Sequence, residues 1–296
     1  MGGHQASKEE TNMQSTNPIF QRSPEFNGSA AARPTSGGAY PGYQQPASDP
    51  STWGTGNPTT TDQSTGRMTI DSVVQATGLS LLLVLVTAAA TWFYIGDVTT
   101  AQASDANLAK LTTALLLGSA VAFGLSLVNS FKRVISPALV LAFAAAEGVA
   151  LGALSKFFDV RFGDGIVTQA VVGTFAAFAG TLAAYKFFNI SVGQRFRTFV
   201  VAAMFGMVAL GLMEMALSFF GNSIGFFGFG GLGLLFAVAG LVLGVFMLIL
   251  DFDFVERGIA AGLPQRESWR AAFGLTVSLV WIYTNLLRIL AIMRGD

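Results

Sequence analysis

The chain contains no cysteine, and its only histidine, His4, lies in a polar amino-terminal segment. Without cysteine there is no disulfide framework, thiol nucleophile, iron–sulfur cluster or thiolate zinc site to consider. Without histidine in the rest of the chain, His-based triads, HExxH zinc sites and imidazole proton relays are excluded as well. The sequence therefore predicts that the protein is not an enzyme and holds no cofactor.

Charged residues are scarce. Only 11% of the residues are charged, 17 basic residues balance 17 acidic ones, and 52% of the chain is hydrophobic. Soluble domains carry about 25% charged residues. There is no basic excess to follow a phosphate backbone and no motif for base recognition, so we predict no nucleic-acid partner. The composition instead predicts a membrane protein whose main partner is the lipid bilayer.

Residues 1–66 are rich in Ser, Thr, Gly, Pro, Gln and Asn, contain seven of the nine prolines and show no apolar periodicity. A segment this polar cannot bury enough surface to offset an ordering entropy of about 1–2 kcal/mol per residue. We therefore predict a disordered cytoplasmic tail. Within it, Asn17–Phe20 (NPIF) is either a short docking motif for another protein or two apolar residues in a linker.

From Val73 onward, apolar runs recur that are close to the roughly 20 residues needed to cross a bilayer. In lipid, uninterrupted runs of this length are typical of helices rather than barrel strands. The predicted spans are 73–95, 107–129, 137–158, 166–188, 198–220, 226–251 and 269–293. The sequence thus predicts an all-α fold, a bundle of seven transmembrane helices over residues 67–296 with short connections.

The distribution of lysine and arginine near the ends of these spans predicts the orientation. One side carries Arg67, Lys132, Arg133, Lys186, Arg195, Arg197, Arg257, Arg266 and Arg270. The other side carries Lys156, Arg161 and Arg294. Because cytoplasmic loops are enriched in basic residues, we predict a multi-pass protein of the bacterial cytoplasmic membrane with its amino terminus in the cytoplasm and its carboxyl terminus outside.

Glu147 falls near the middle of the predicted third helix, between apolar residues and beyond reach of either interface. A charged side chain at such a depth costs roughly 2.5–3.5 kcal/mol, so it implies a partner, water or a function. Glu147 is either a protonated residue bonded to a neighbouring helix or a carboxylate that lines a water-filled path. We favour the second interpretation.

Glu214 and Arg288 fall at similar depths in the predicted fifth and seventh helices. Their positions permit a buried ion pair between the two helices. We predict that this pair has a structural role, since breaking a buried pair typically destabilises a protein by about 3–5 kcal/mol whatever its function.

Asp251 and Asp253 close the sixth apolar run. Residues two positions apart on a helix point about 200° apart in direction, so the carboxylates of these two residues cannot share one face or one proton. Asp253 can pair with Arg257 at i+4 near the cytoplasmic surface. Asp251 lies deeper, at the negative end of the helix dipole, where its charge is disfavoured, and we expect its charge to change with mild acidification.

The sequence resembles the Bax inhibitor family of seven-helix membrane proteins, in particular an actinobacterial YccA-like branch. The likeness covers about residues 67–293, and the NPIF motif of the tail also looks like that branch. It rests on AEG at 146–148, LDFDFVERG at 250–258, WRAAFG at 269–274 and LVWIY at 279–283.

What this resemblance implies is a pH-sensitive cation leak, best described for calcium. In such proteins an aspartate of the sixth helix and one of the seventh share a proton and gate a central pore. Asp251 matches the first position, whereas the second falls on Ile282, and the nearby polar residue is Asn285. Neither of these can ionise, so Asp251 either works with Glu147 or Asp253, or this branch conducts differently or not at all.

Two functional hypotheses therefore stand. The first is a cation leak, with calcium as the favoured ion, in which Asp251 is the titrating gate, Asp253 lies at the cytoplasmic mouth and Glu147 lies in the pathway. No EF-hand spacing exists, so a calcium site would be assembled from several helices. The second is a non-conducting regulator that binds a membrane protease or another partner. The tail motif Asn17–Phe20 favours this hypothesis.

Overall fold

A computed structural model describes residues 66–98, 105–163, 165–188 and 190–295 of the chain. The predicted disordered tail, with its motif Asn17–Phe20, lies outside the described residues except for Gly66.

Seven α-helices make up most of the described residues. They are α1 (Ile70–Ile95), α2 (Asp105–Phe131), α3 (Pro137–Phe162), α4 (Ile166–Phe187), α5 (Gln194–Phe219), α6 (Gly231–Ala260) and α7 (Glu267–Gly295). Each of the seven is long and apolar enough to cross a membrane. The predicted all-α bundle of seven transmembrane helices is thus confirmed.

The helix bounds differ most from the predicted spans at α6, which begins five residues later than predicted and ends nine residues later. Gly225 adopts a φ of +98° and its carbonyl accepts from the Gly228 N–H at 3.0 Å, so the chain turns before the helix begins. At the other end the predicted span stops at Asp251. The helix continues beyond it, because polar side chains can extend a helix into water as readily as apolar ones extend it through lipid.

Local sequence sets the starts of α1 and α3. Thr69 and Ser72 form a capping box, in which the Thr69 Oγ1 accepts from the Ser72 N–H at 3.2 Å and the Ser72 Oγ accepts from the Thr69 N–H at 3.0 Å. Pro137 begins α3, where its missing N–H loses no helical hydrogen bond. These signals place the helix starts at the ends of the apolar runs.

The helices cross the bundle in alternating directions. The side on which α1, α3, α5 and α7 begin is called proximal, and the side on which they end is called distal. On the proximal side, residues 66–68 pair with the α6–α7 connection. The Met68 N–H donates to the Leu263 carbonyl at 2.7 Å, and the Gln265 N–H donates to the Gly66 carbonyl at 2.8 Å. This pairing fastens the start of α1 to the connection that joins α6 and α7.

Helices α3 and α7 form the centre of the bundle. Within their apolar windows, 50% of α3 and 56% of α7 is buried, against 17–28% for the other five helices. Helix α3 packs closely on α1 because Gly148 and Gly152 leave room for the α1 backbone. A Cβ at Gly148 would meet Thr87 and Val84, and one at Gly152 would meet Ala88. Small residues at this spacing permit close helix contact in membranes.

Candidate functional site

Asp251 lies at the interface of α6 and α7. One of its carboxylate oxygens accepts a hydrogen bond from the Ser278 hydroxyl at 2.5 Å. The other lies beside Gly274, where an added Cβ would be only 2.7 Å from it. No ion pair joins Asp251 to any arginine or lysine of the described ranges. Asp251 is therefore held by a neutral hydroxyl, in a space that exists because residue 274 has no side chain.

Asp253 has a different environment on the same helix. Its side chain is buried and accepts from Arg257 Nε at 2.8 Å and from Arg197 Nη2 at 3.0 Å. Arg257 also donates to the Val192 carbonyl at 2.6 Å. The predicted contact between Asp253 and Arg257 is present, and a second arginine from the start of α5 completes the site. These bonds fasten the proximal end of α6 to the α4–α5 connection.

Tyr185 of α4 adds a further bond to this proximal cluster. Its hydroxyl donates to the Glu256 carboxylate at 2.6 Å. The structure thus gives Asp253 and Glu256 structural partners from neighbouring helices, while Asp251, two residues before Asp253 and about 3 Å deeper, contacts none of these partners.

Glu147 is half-buried on α3 and makes no hydrogen bond or ion pair with any residue in the described part of the chain. Its depth follows from two contacts between α3 and α7, which run in the same direction. The rings of Phe143 and Phe273 are 5.0 Å apart, and the Ser155 and Tyr283 hydroxyls are 2.6 Å apart. Glu147, about 6 Å beyond Phe143, is therefore level with Thr276 of α7.

Asp251 is also level with Thr276, because its contacts Gly274 and Ser278 lie on either side of that residue. The two carboxylates nevertheless approach α7 from different sides. Phe273 faces α3 and Ser278 faces α6, and five residues on an α-helix are about 140° apart in direction. The structure places Glu147 and Asp251 at the same depth but does not bring them into contact.

The ion pair that the sequence permits between Glu214 and Arg288 is not among the ion pairs of the described residues. Glu214 is buried and accepts from the backbone N–H groups of Ile224 and Gly225, at 3.0 and 2.8 Å. Arg288 donates to the Phe226 carbonyl at 2.5 Å. Equal depth was not sufficient for pairing, because each side chain bonds instead to backbone groups of the α5–α6 connection.

No group of three Asp, Glu or His side chains in the described ranges is arranged to hold a metal ion. The acidic residues of the predicted pathway are instead distributed over α3 and two faces of α6.

The sequence profile described as Bax inhibitor 1 like matches residues 17–295. The chain belongs to the Bax inhibitor family. The match includes all seven helices and begins at Asn17, the first residue of the NPIF motif. Among curated proteins there is no match to the chain. The narrower YccA-like branch remains a prediction.

In this Bax inhibitor family protein, the seventh-helix position implied by the resemblance does not face Asp251. Ile282 is fully buried against Gly244, which precedes Asp251 by seven residues on α6. Asn285 packs against Gly240 and donates to the Trp281 carbonyl at 2.7 Å. Both residues face α6, but they lie about one and two turns beyond Ser278 on α7, and Ser278 is the residue that meets Asp251.

The sequence reasoning missed Ser278, Gly274 and Arg197. Ser278 lies one turn before Ile282 on the same face of α7, so the search for a partner to Asp251 could have been extended by one turn. Gly274 ends the WRAAFG stretch on which the resemblance rests. Arg197 carried no signal beyond its charge near the membrane surface.

Proposed function

We propose that this Bax inhibitor family protein is a pH-sensitive cation leak of the bacterial cytoplasmic membrane rather than an enzyme. In this proposal the proximal side faces the cytoplasm, and titration of Asp251 changes conduction. Calcium is the favoured cation, since carboxylate oxygens are ligands suited to this hard ion.

The observation that carries the proposal is the contrast between the two aspartates of α6. Asp253 is bound to two arginines, and its charge is matched within the protein. Asp251 is bound to a serine hydroxyl and has no paired cation among the described residues. An ionisable residue within a membrane segment and without a charged partner is a functional candidate by default.

The contact between Asp251 and Ser278 is compatible with both protonation states of the aspartate. A serine hydroxyl can donate to a carboxylate and accept from a carboxylic acid. A proton can therefore be gained or lost at Asp251 without removing its partner, while the charge at the α6–α7 interface changes. We propose that this change of charge alters the packing of α6 on α7 and so admits or excludes cations.

Glu147 would then contribute a second carboxylate at the same depth on the other side of α7. The rings of Phe143 and Phe273 lie one turn to the proximal side of it. A movement of α7 that separates it from α6 would also change its contact with α3. Under this proposal both acidic residues respond to the same displacement.

The test is calcium flux into vesicles that contain the purified protein and a trapped indicator, measured over a pH series. We expect flux that varies with pH in the native protein and flux that does not vary with pH in Asp251→Asn. Asp71→Asn is the matched control, because Asp71 is exposed at the start of α1, and it should keep the native pH dependence.

Two results would contradict the proposal. If flux still depends on pH in Asp251→Asn, Asp251 is not the gate. A protein that is folded and conducts no cation at any pH would instead favour the alternative, a non-conducting regulator of a membrane protease or other partner. That alternative rests on Asn17–Phe20, outside the described residues.

A further inference from the structure

A cleft of about 430 Å³ opens between α1 and α4. These two helices do not contact each other in the part of the chain that the structure describes. Helices α3 and α7 form the floor of the cleft, where Leu151, Leu279 and Tyr283 are buried. The rim is exposed at Leu85 and Phe93 of α1. Because its open side lies between two membrane-spanning helices, the cleft faces the hydrocarbon of the bilayer.

The length of the cleft corresponds to one leaflet. Its lining on α1 extends from Leu81 to Phe93, which is about 18 Å at 1.5 Å per residue. One leaflet contributes about 15 Å of hydrocarbon to the bilayer. On α4 the lining begins at Gly165, where that helix starts on the distal side. The cleft therefore reaches from the distal surface to about the middle of the membrane.

Asp159 and Thr168 line the distal end of the cleft, and the rest of its wall is largely apolar. The polar groups farther in bond to one another or to their own helix. The Ser155 and Tyr283 hydroxyls are 2.6 Å apart, and the Thr174 hydroxyl donates to the Ala170 carbonyl at 2.7 Å. An occupant would find few free hydrogen-bonding groups below the rim, as a hydrocarbon chain requires.

The distal rim carries the positive charge of Lys156 and the carboxyl group of Asp159, and Asp159 already has a partner in the structure. Trp92 lines the cleft, and the Lys156 ammonium lies over its ring, 4.7 Å from the ring centroid. Tryptophan is enriched at the membrane interface, where its ring lies at the level of the lipid headgroups. A lysine in this position favours an anionic headgroup.

We propose that this cleft binds one acyl chain of an anionic phospholipid from the distal leaflet, with the phosphate of the lipid beside Lys156. Because the cleft is about as long as one leaflet is thick, it can hold a single acyl chain from a single leaflet. The bonded hydroxyls exclude a polar ligand from the deep end. The charge of Lys156 selects the anionic headgroup over a zwitterionic one.

The experiment uses the full chain in vesicles of phosphatidylcholine and phosphatidylglycerol in equal parts. In separate samples, one of the two lipids carries a photoreactive diazirine midway along an acyl chain. After irradiation, the labelled peptides are identified by mass spectrometry. We expect labelling concentrated on the cleft-lining segments of α1 and α4, with more adducts from phosphatidylglycerol than from phosphatidylcholine.

Two neighbouring positions of α1 provide matched variants. Ala89 lines the cleft, whereas Ala90 is also exposed but does not line it. Ala89→Trp should fill the cleft and reduce labelling of α1 and α4 several-fold, and Ala90→Trp should leave it unchanged. Both substitutions add the same side chain at the same depth, so a general effect of tryptophan on folding would appear in both.

Two lysines provide a second matched pair. Lys110 lies over Tyr94, at 5.2 Å, as Lys156 lies over Trp92, but only Trp92 lines the cleft. Lys156→Gln should reduce the excess of phosphatidylglycerol adducts about fivefold, and Lys110→Gln should leave the excess unchanged.

Three outcomes would overturn the proposal. The first is equal labelling of Ala89→Trp and Ala90→Trp, or labelling spread evenly over α5 and the other lipid-facing helices. The second is equal capture of the two lipids by the native protein. The third is a loss of self-association, rather than of lipid adducts, in Ala89→Trp, which would make a second copy of the chain the occupant.

Discussion

Asp251 and Asp253 are separated by one residue on α6 and contact different helices. Asp251 accepts from Ser278 of α7, whereas Asp253 accepts from Arg197 of α5 and from Arg257 of its own helix. One aspartate lies within the helix interface, and the other forms part of a charged network at the proximal surface. Substitutions of Asp251 and of Asp253 should therefore have different kinds of effect.

Gly274→Ala should displace the Asp251 carboxylate. A Cβ at residue 274 would lie 2.7 Å from an Asp251 oxygen, and overpacking of this type typically destabilises a protein by about 1–3 kcal/mol. Thermal unfolding in detergent measures the change. Gly180→Ala is the control, because a Cβ at Gly180 would meet nothing within 4 Å. In an Asp251→Ala background the penalty at residue 274 should largely disappear, and a penalty of unchanged size would contradict this account.

Ser278→Ala should weaken the contact between α6 and α7. The substitution removes the hydroxyl that donates to Asp251, and loss of a partner for a buried polar group costs about 1–3 kcal/mol. Ser126→Ala removes a hydroxyl that bonds only to its own helix, at the Phe123 carbonyl, and should change the free energy of unfolding by less than about 0.5 kcal/mol.

A double-mutant cycle isolates the contact between these two residues. Ser278→Ala and Asp251→Ala should show a coupling energy of about 0.5–3 kcal/mol, as residues in one hydrogen-bonded pair do. Strict additivity of the two changes would mean that the hydrogen bond contributes nothing to folding.

Asp253→Asn should destabilise the proximal end of α6 and leave the pH dependence of flux intact. We expect a loss of roughly 1–3 kcal/mol, because the two arginines are about half exposed, with 41% and 54% of their side chains accessible, and water compensates part of the lost pairing. Arg197→Gln and Arg257→Gln should each cost less than Asp253→Asn, since each removes one of the two bonds. Flux that loses its pH dependence in Asp253→Asn would assign the titration to this residue instead.

Glu214→Gln should loosen the α5–α6 connection. Both carboxylate oxygens of Glu214 accept a backbone N–H, whereas a glutamine has one oxygen and can satisfy only one of them. Hydrogen exchange of residues 220–230 should become faster. Arg288→Gln should have the same effect, because Arg288 holds the Phe226 carbonyl of the same segment.

Glu267→Gln serves as the control for this pair of variants. Glu267 pairs with Arg270 at 2.6 Å near the start of α7, and its replacement should leave exchange at 220–230 unchanged. Exchange that is faster in only one of the two distal variants would show that Glu214 and Arg288 do not act on the same segment.

Hydropathy and helical spacing predicted the number of helices, their order and the contact between Asp253 and Arg257. These features depend on a run of residues or on a spacing within one helix, which the sequence shows directly. The partner of Asp251 could not be predicted in this way, because it depends on the rotation and vertical register of α6 against α7. The proposed pairing of Glu214 with Arg288 failed for a related reason. Depth in the membrane is readable from the sequence, but the course of the connection between two helices is not.

The hydrogen bonds between Met68 and Leu263 and between Gly66 and Gln265 have a mechanical consequence. They make the entry of the chain into the membrane and the hinge of the α6–α7 hairpin a single mechanical unit. Tension applied to the backbone at Gly66 is transmitted to that hinge, and from there to the two helices that carry Asp251 and Ser278.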